Sequence, residues 1–405
     1  METTRIRLTA SFLFLLSLSL SQAQMNKPVI AGISLERLDR YEAYVAREIG
    51  SGKIPGAVTV ISRNGELIYK AAFGQSDPEQ GRKMEVNDIF YIQSMTKPII
   101  TTAFMMLFEE GHFLLTDPLS KYLPAAKDLR VVRNPEDGIA GETVPMKREI
   151  MLSDLLSHTA GFSHGLSPLP YDQELIKALS RPYATIRDRV DAYLTMPLLG
   201  QPGEKWTYSI APDILSVLIE EFSGLSTDAF LKERIFAPLE MRDTGYNLTR
   251  EQQARVVRVQ GDAPGGPISV TPPMEGNTVW SGVNALFSTA GDYLNFCQML
   301  LNGGIWEGRR LLSRKTVDLM TENHSGDLFG TPGEGFGYGF AVVDDLAATN
   351  NLGSEGTYYW AGAFNTHFFI DPEENLIAIF MTQTSAFDFY FHQKLRQLVY
   401  QSLVD

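Results

Sequence analysis

Residues Ser94–Glu110 read SMTKPIITTAFMMLFEE. The interior of this stretch is almost wholly apolar: Ile99, Ile100, Ala103, Phe104, Met105, Met106, Leu107 and Phe108. A helix that is apolar around its whole circumference has no face to give to water, so it runs through the middle of a protein. Pro98 fits the first turn, where its missing N–H costs little, and Gly111 suits the end. Any fold for this chain must wrap further layers around that helix. Ser94 and Lys97 open it, and three residues apart on a helix they share a face and can touch. A serine hydroxyl becomes a nucleophile when a base takes its proton, and a lysine can be that base when burial lowers its pKa. The N–H groups and positive dipole at a helix start would favour an oxyanion on the attacked carbonyl.

The 405 residues, 44% hydrophobic and 20% charged, leave room for one large or two medium domains around such a helix. A net charge of −13 without runs of like charge argues against nucleic acid as a partner. Residues 1–23 have the shape of a signal peptide, with Arg5 and Arg7, an apolar run from Leu8 to Leu20, and Ser21-Gln22-Ala23 as a cleavage site. The apolar run is too short to span a bilayer comfortably. An exported protein, periplasmic or secreted, is expected, with no stable membrane insertion once the peptide is removed. The single cysteine, Cys297, lies in a helical apolar pattern from Tyr293 to Leu301 and reads as core packing. With no H-E-x-x-H and no cysteine cluster, neither a metal nor a cofactor is expected.

Along the chain, Ser34 caps a helix with Leu38, Tyr41, Val45 and Ile49 on one face. Ala57–Arg63 and Glu66–Phe73, joined by Asn64-Gly65, predict a β-hairpin. From about residue 84 the chain turns mostly helical, with helices expected at 153–157, 185–194, 212–222, from Thr227 to Pro238, at 289–302 and at 313–322. Residues 130–147 form an excursion or small hairpin. After Gly335, strands are expected at 338–343, 357–360, 366–370 and 376–382, then a closing helix within 387–403. Strands at both ends and helices between predict an α/β part plus an all-α part. Residues 30–83 and 335–405 would build one antiparallel sheet flanked by the N- and C-terminal helices. Residues 84–334 would form a large inserted helical domain carrying Ser94.

A second serine, in Gly161-Phe-Ser163-His-Gly165, matches the G-x-S-x-G nucleophile elbow letter for letter. That elbow needs a strand before it and a helix directly after it. Here Met151–Ser157 reads helical, and Leu166–Pro170 carries two prolines. Ser163 is therefore read as part of a glycine-rich turn. Asn247-Leu-Thr249 fits a glycosylation sequon.

Ser94-Met-Thr-Lys97 matches the S-x-x-K signature of penicillin-recognising enzymes. Asp154-Leu-Leu-Ser-His-Thr-Ala-Gly161, Pro202-Gly-Glu-Lys-Trp-Thr-Tyr208-Ser, Leu286-Phe-Ser-Thr-Ala290 with Asp292-Tyr293, and Trp360-Ala-Gly362 follow it in order. Together these stretches resemble the serine β-lactamase and penicillin-binding-protein superfamily, in its class C-like branch, and are most similar to the family VIII carboxylesterases. The resemblance implies that fold, with Ser94 as nucleophile and Lys97 and Tyr208 as coupled base and acid. It implies the N–H groups of Ser94 and Ala363 as the oxyanion hole. Trp360, Gly362, Ile210 and His164 would then face the substrate, and His158 would be structural.

Two departures bear on the substrate. Ile210 stands where penicillin-active relatives carry an asparagine, and it cannot hydrogen-bond an amide. Trp360 stands where they carry a lysine or histidine, which removes a cation that would pair with the β-lactam carboxylate. Both favour a small neutral ester as substrate. Three readings stay open: an exported carboxylesterase working through an acyl-enzyme, a β-lactamase or D-amino-acid peptidase or acyltransferase on the same nucleophile, and a non-catalytic binding module.

Overall fold

Asn64 and Gly65 take positive φ, 55° and 76°, and close a two-residue turn between β1 (Gly56–Arg63) and β2 (Glu66–Asp77). Such a turn needs positive φ at both central positions, which Asn-Gly tolerates best. This hairpin belongs to the computed structural model of the chain, which describes residues 28–263, 266–267 and 276–405. The expected signal peptide lies outside those residues.

The hairpin is the core of an eight-stranded sheet. Its other strands are β3 (Arg82–Lys83), β4 (Glu334–Phe336), β5 (Ala341–Val343), β6 (Tyr358–Ala361), β7 (His367–Asp371) and β8 (Leu376–Met381). The spatial order is β4-β5-β6-β7-β8-β1-β2-β3, antiparallel at each pairing. Side chains alternate between two apolar layers, as a period of two demands. Ala57, Ile61, Phe369, Leu376, Ala378 and Phe380 face one layer, packed with α1 (Leu35–Gly50) and the C-terminal helix Phe389–Tyr400. Val58, Val60, Phe368, Ile370, Ile377 and Ile379 face the other and join the main core.

α2 (Thr96–Glu109) runs through that main core, with every residue from Thr96 to Leu107 buried. Around it lie α3 (Ile186–Tyr193), α4 (Ala211–Ser223) and α5 (Ala290–Leu301). Thr185 caps α3, and Gly224, at φ 70°, ends α4 in a left-handed cap. α5 packs against β1, β7 and β8. Thus part of the segment expected in the helical insert covers the inner face of the sheet. No helix among the described residues is long and apolar enough to cross a membrane.

Several expectations are corrected. Ser94 lies outside the α-helix, in a 3₁₀ turn at Gln93–Met95, with Gln93 at φ 49°. The cap near residue 227 is Ser226, which accepts from the Ala229 N–H, and a π-helical turn follows at Lys232–Phe236. The strand expected at 338–343 is confined to Ala341–Val343, preceded by one at Glu334–Phe336. A helix at Pro170–Leu179 was not foreseen; its proline occupies the first turn, where no backbone donor is needed. At the sequon, Asn247 is half-buried with its side-chain oxygen inside, and Thr249 caps a short helix.

Candidate active site

The turn bearing Ser94 is held from two sides. Phe90–Tyr91 pairs with Phe287–Ser288, and Ile92 N–H donates to the Leu286 carbonyl at 3.0 Å. From α5, the Tyr293 hydroxyl donates to the Met95 carbonyl at 2.9 Å. The Leu286–Tyr293 motif is therefore the clamp on the serine turn.

Lys97, one residue into α2, is 1% exposed. Its Nζ lies 3.1 Å from Ser94 Oγ and donates to the Val283 carbonyl at 2.8 Å. It sits over the Tyr208 ring, 4.5 Å from the centroid. Burial pushes the amine well below the usual lysine range, and the Asp213 carboxylate opposes that. A neutral amine beside a serine hydroxyl is the arrangement a general base requires.

Tyr208 is positioned by the motif at 154–161. Asp154 is gripped by Arg148 at 2.6 and 2.9 Å and by Thr159 at 3.1 Å, which fixes the loop that follows. His158, at φ 57°, accepts from the Thr207 N–H through its carbonyl at 2.9 Å. Its Nδ1 is hydrogen-bonded with Ser209 Oγ, also at 2.9 Å. These bonds bracket Tyr208 on both sides. Ser94 and the Trp360 indole face the Tyr208 hydroxyl, and each favours its ionised form, but burial outweighs them and raises the phenol's pKa. The phenol is therefore a proton donor at neutral pH.

Aromatic rings wall this centre. His164 stacks on Tyr208 at 5.0 Å with 2° between planes, and Trp206 stacks at 6.0 Å. Trp360 lies 5.5 Å from Tyr208, and Phe336 packs edge-on against Trp360 at 5.2 Å. Burial pushes His164 down to about 3, so it is neutral. The Trp206 indole N–H and His164 Nδ1 complete no hydrogen bond among the described residues, and the Trp360 indole N–H, turned towards Tyr208, lacks the geometry of a full bond. Those atoms are left to water or a ligand.

β6 brings Trp360 and Ala361 to the same place. A Cβ on Gly362 would collide with the Ile92 carbonyl and Thr366 Oγ1, so glycine lets the strand end lie flat against the Ser94 turn. Ala363 follows, exposed, and its N–H has no backbone partner among the described residues. Ile210 is 5% exposed and belongs to the main core rather than forming an open wall.

Ser163 is elsewhere in role. It is 4% exposed, and its hydroxyl donates to buried Asp172 at 2.6 Å while accepting from the Gly165 N–H. It has no imidazole partner and closes a turn. Sequence reading singled out neither Val283 nor Asp213 for a role. Val283 acts through its main chain, which no residue-type pattern marks, and Asp213 reads as an ordinary helix-start carboxylate. No group of residues suited to a metal ion occurs among the described residues.

The family described as Beta-lactamase matches residues 40–401. An uncharacterised protein of Mycobacterium tuberculosis is 33% identical over 369 residues, spanning 85% of this chain and 90% of the relative. Esterase EstB of Burkholderia gladioli is 26% identical over 371 residues, again 85% and 90%. Among solved structures, EstCE1, described as a hydrolase with promiscuous acyltransferase activity, superposes with a TM-score of 0.76 at 26% identity. That match covers 90% of this chain and 99% of its own.

Proposed function

This chain belongs to the beta-lactamase family of serine hydrolases, and we propose that it is a carboxylesterase acting on small or medium neutral esters through an acyl-enzyme on Ser94. The observation that carries the reading is the Ser94–Lys97 contact at 3.1 Å, with the lysine buried and its pKa lowered. Ser94 Oγ attacks the ester carbonyl carbon as its proton passes to Lys97 Nζ. The oxyanion is received by the N–H groups of Ser94 and Ala363. Tyr208 gives its proton to the departing alkoxide and regains one from Lys97. Water then attacks the acyl carbonyl, losing its proton to the same pair, which passes it to Ser94 Oγ as the bond to the acyl carbon breaks and the acid leaves.

Substrate class follows from the walls. Trp360, Trp206, Phe336 and neutral His164 offer stacking surface and no cation. A β-lactam or peptide carboxylate would find no lysine at the Trp360 position. EstB bears the name of an esterase, which supports the same choice. Export through residues 1–23 is part of the proposal.

Transfer of the acyl group to an alcohol in place of water is a second reading, favoured by the description of EstCE1. A panel of p-nitrophenyl esters run beside nitrocefin tests the proposal. A burst with p-nitrophenyl butyrate that is lost in Ser94→Ala, with nitrocefin turned over at least about 100-fold more slowly, is expected. Comparable nitrocefin turnover overturns the ester reading. A new ester product on adding an alcohol selects the second.

A further inference from the structure

Asp213 is fully buried, yet the acylation chemistry above makes no use of it. It stands in the first turn of α4, where its Oδ1 accepts from Ser281 Oγ at 2.6 Å and from the Val283 N–H at 3.2 Å. Its Oδ2 accepts from Tyr193 Oη at 3.0 Å and lies 3.3 Å from Arg189 Nε, both on α3. Val283 is the residue whose carbonyl holds Lys97 Nζ. One residue is thus gripped through its N–H by a carboxylate and grips the amine through its C=O. The strap bearing it lies hard against α4, since a Cβ on Gly282 would strike the Pro212 carbonyl.

Charge makes the arrangement more than a brace. The other groups around Lys97 are Ser94, the Tyr208 phenol, and the imidazoles of His158 and His164. Burial keeps those three rings neutral. Asp213 is the charge that acts on the amine, and it favours the protonated form. Arg189 stands on the far side of that carboxylate, a quarter exposed, with its Nε also donating to Tyr193 Oη.

We propose that Asp213 and Arg189 form a positioning pair for Lys97: Asp213 fixes the carbonyl that holds the amine, and Arg189 cancels the carboxylate charge that would otherwise keep a proton there. The inference rests on Ser94 as nucleophile and Lys97 as its base. In Arg189→Met the donors from Ser281, Tyr193 and Val283 to the Asp213 carboxylate remain in place. Lys97 then holds its proton to higher pH. Asp213→Asn removes the charge, and Lys97 loses its proton at lower pH.

The test is the rate of Ser94 labelling by a fluorophosphonate across pH, in the full-length protein and both variants. The acid limb of the rate profile is expected to move up by about one unit in Arg189→Met, about tenfold slower labelling on that limb, with recovery at high pH. It is expected to move down in Asp213→Asn. Limbs that stay put, or move in the same direction, overturn the pairing, because a purely structural defect lowers rates without opposite shifts. Should Asp213→Asn fail to fold, the partly exposed Arg189→Met decides alone. A wild-type protein unlabelled at Ser94 overturns the nucleophile assignment and this inference with it, whereas labelling with unshifted limbs overturns the pairing only.

Discussion

Tyr293 donates a hydrogen bond to the Met95 carbonyl at 2.9 Å, tying α5 to the turn that carries Ser94. Both groups are buried, so the bond has no water to replace it. Tyr293→Phe keeps the ring and removes the donor. The expected cost is about 1–2 kcal/mol in urea unfolding. A looser serine turn should lower kcat for p-nitrophenyl butyrate by roughly 10- to 100-fold, with KM little changed. An unchanged kcat would show that the strand pairing at Phe287–Ser288 and the Leu286 carbonyl hold the turn without Tyr293.

Gly362 touches the same turn from the sheet side. Its missing Cβ leaves space for the Ile92 carbonyl and Thr366 Oγ1. Gly362→Ala should force β6 away from Ser94 and separate the Ala363 N–H from the serine. Steady-state kinetics should show kcat/KM falling by on the order of 100-fold, the size of effect seen when one oxyanion donor is lost.

Ser163→Ala separates the two serine motifs. The variant should label fully with a fluorophosphonate, since Ser163 serves Asp172 and not Lys97. It should also lose about 1–3 kcal/mol of stability, because a buried carboxylate gives up one donor. Loss of labelling with unchanged stability would reverse the assignment of the nucleophile.

Stability should fall as the medium turns acid. Burial holds His392 down to about 4, His164 down to about 3, and His158 and His367 well below the usual range. An unfolded histidine takes a proton near pH 6.5. Below that value the unfolded chain binds protons that the folded chain refuses, so stability is lost from about pH 6.5 towards 4. Burial also lowers His324, while Asp292, raised to about 6 by burial, and Asp88, Glu334 and Asp344, raised by the same cause, work the other way and blunt the slope. Urea midpoints at pH 7.5 and 5 check the sign. His392→Phe should flatten the slope.

The hairpin at Asn64-Gly65, the buried run of α2, the caps at Ser34 and Thr185 and the left-handed stop at Gly224 were all legible, because each depends on residues adjacent in sequence. The 3₁₀ turn beneath Ser94 was not legible. Its Met95 and the preceding Ile92 are tied to Tyr293 and Leu286, nearly two hundred residues away, and such long-range bonds leave no local pattern. The prolines after Ser163 did not prevent a helix, which starts at Pro170, and it is that helix's Asp172 that occupies the Ser163 hydroxyl.

By itself the sequence determined that one apolar helix must be interior, that a serine and a lysine stand at its mouth, and that strands from both chain ends flank it. Those follow from periodicity and turn chemistry, which are local. Only the tertiary structure decided that the Lys97 amine rests on the Val283 carbonyl, that Asp213 and Arg189 stand behind it, and that Ile210 is core. Such contacts join groups far apart along the chain, and a main-chain carbonyl has no letter of its own. Nothing in residue order encodes them until packing brings the segments together.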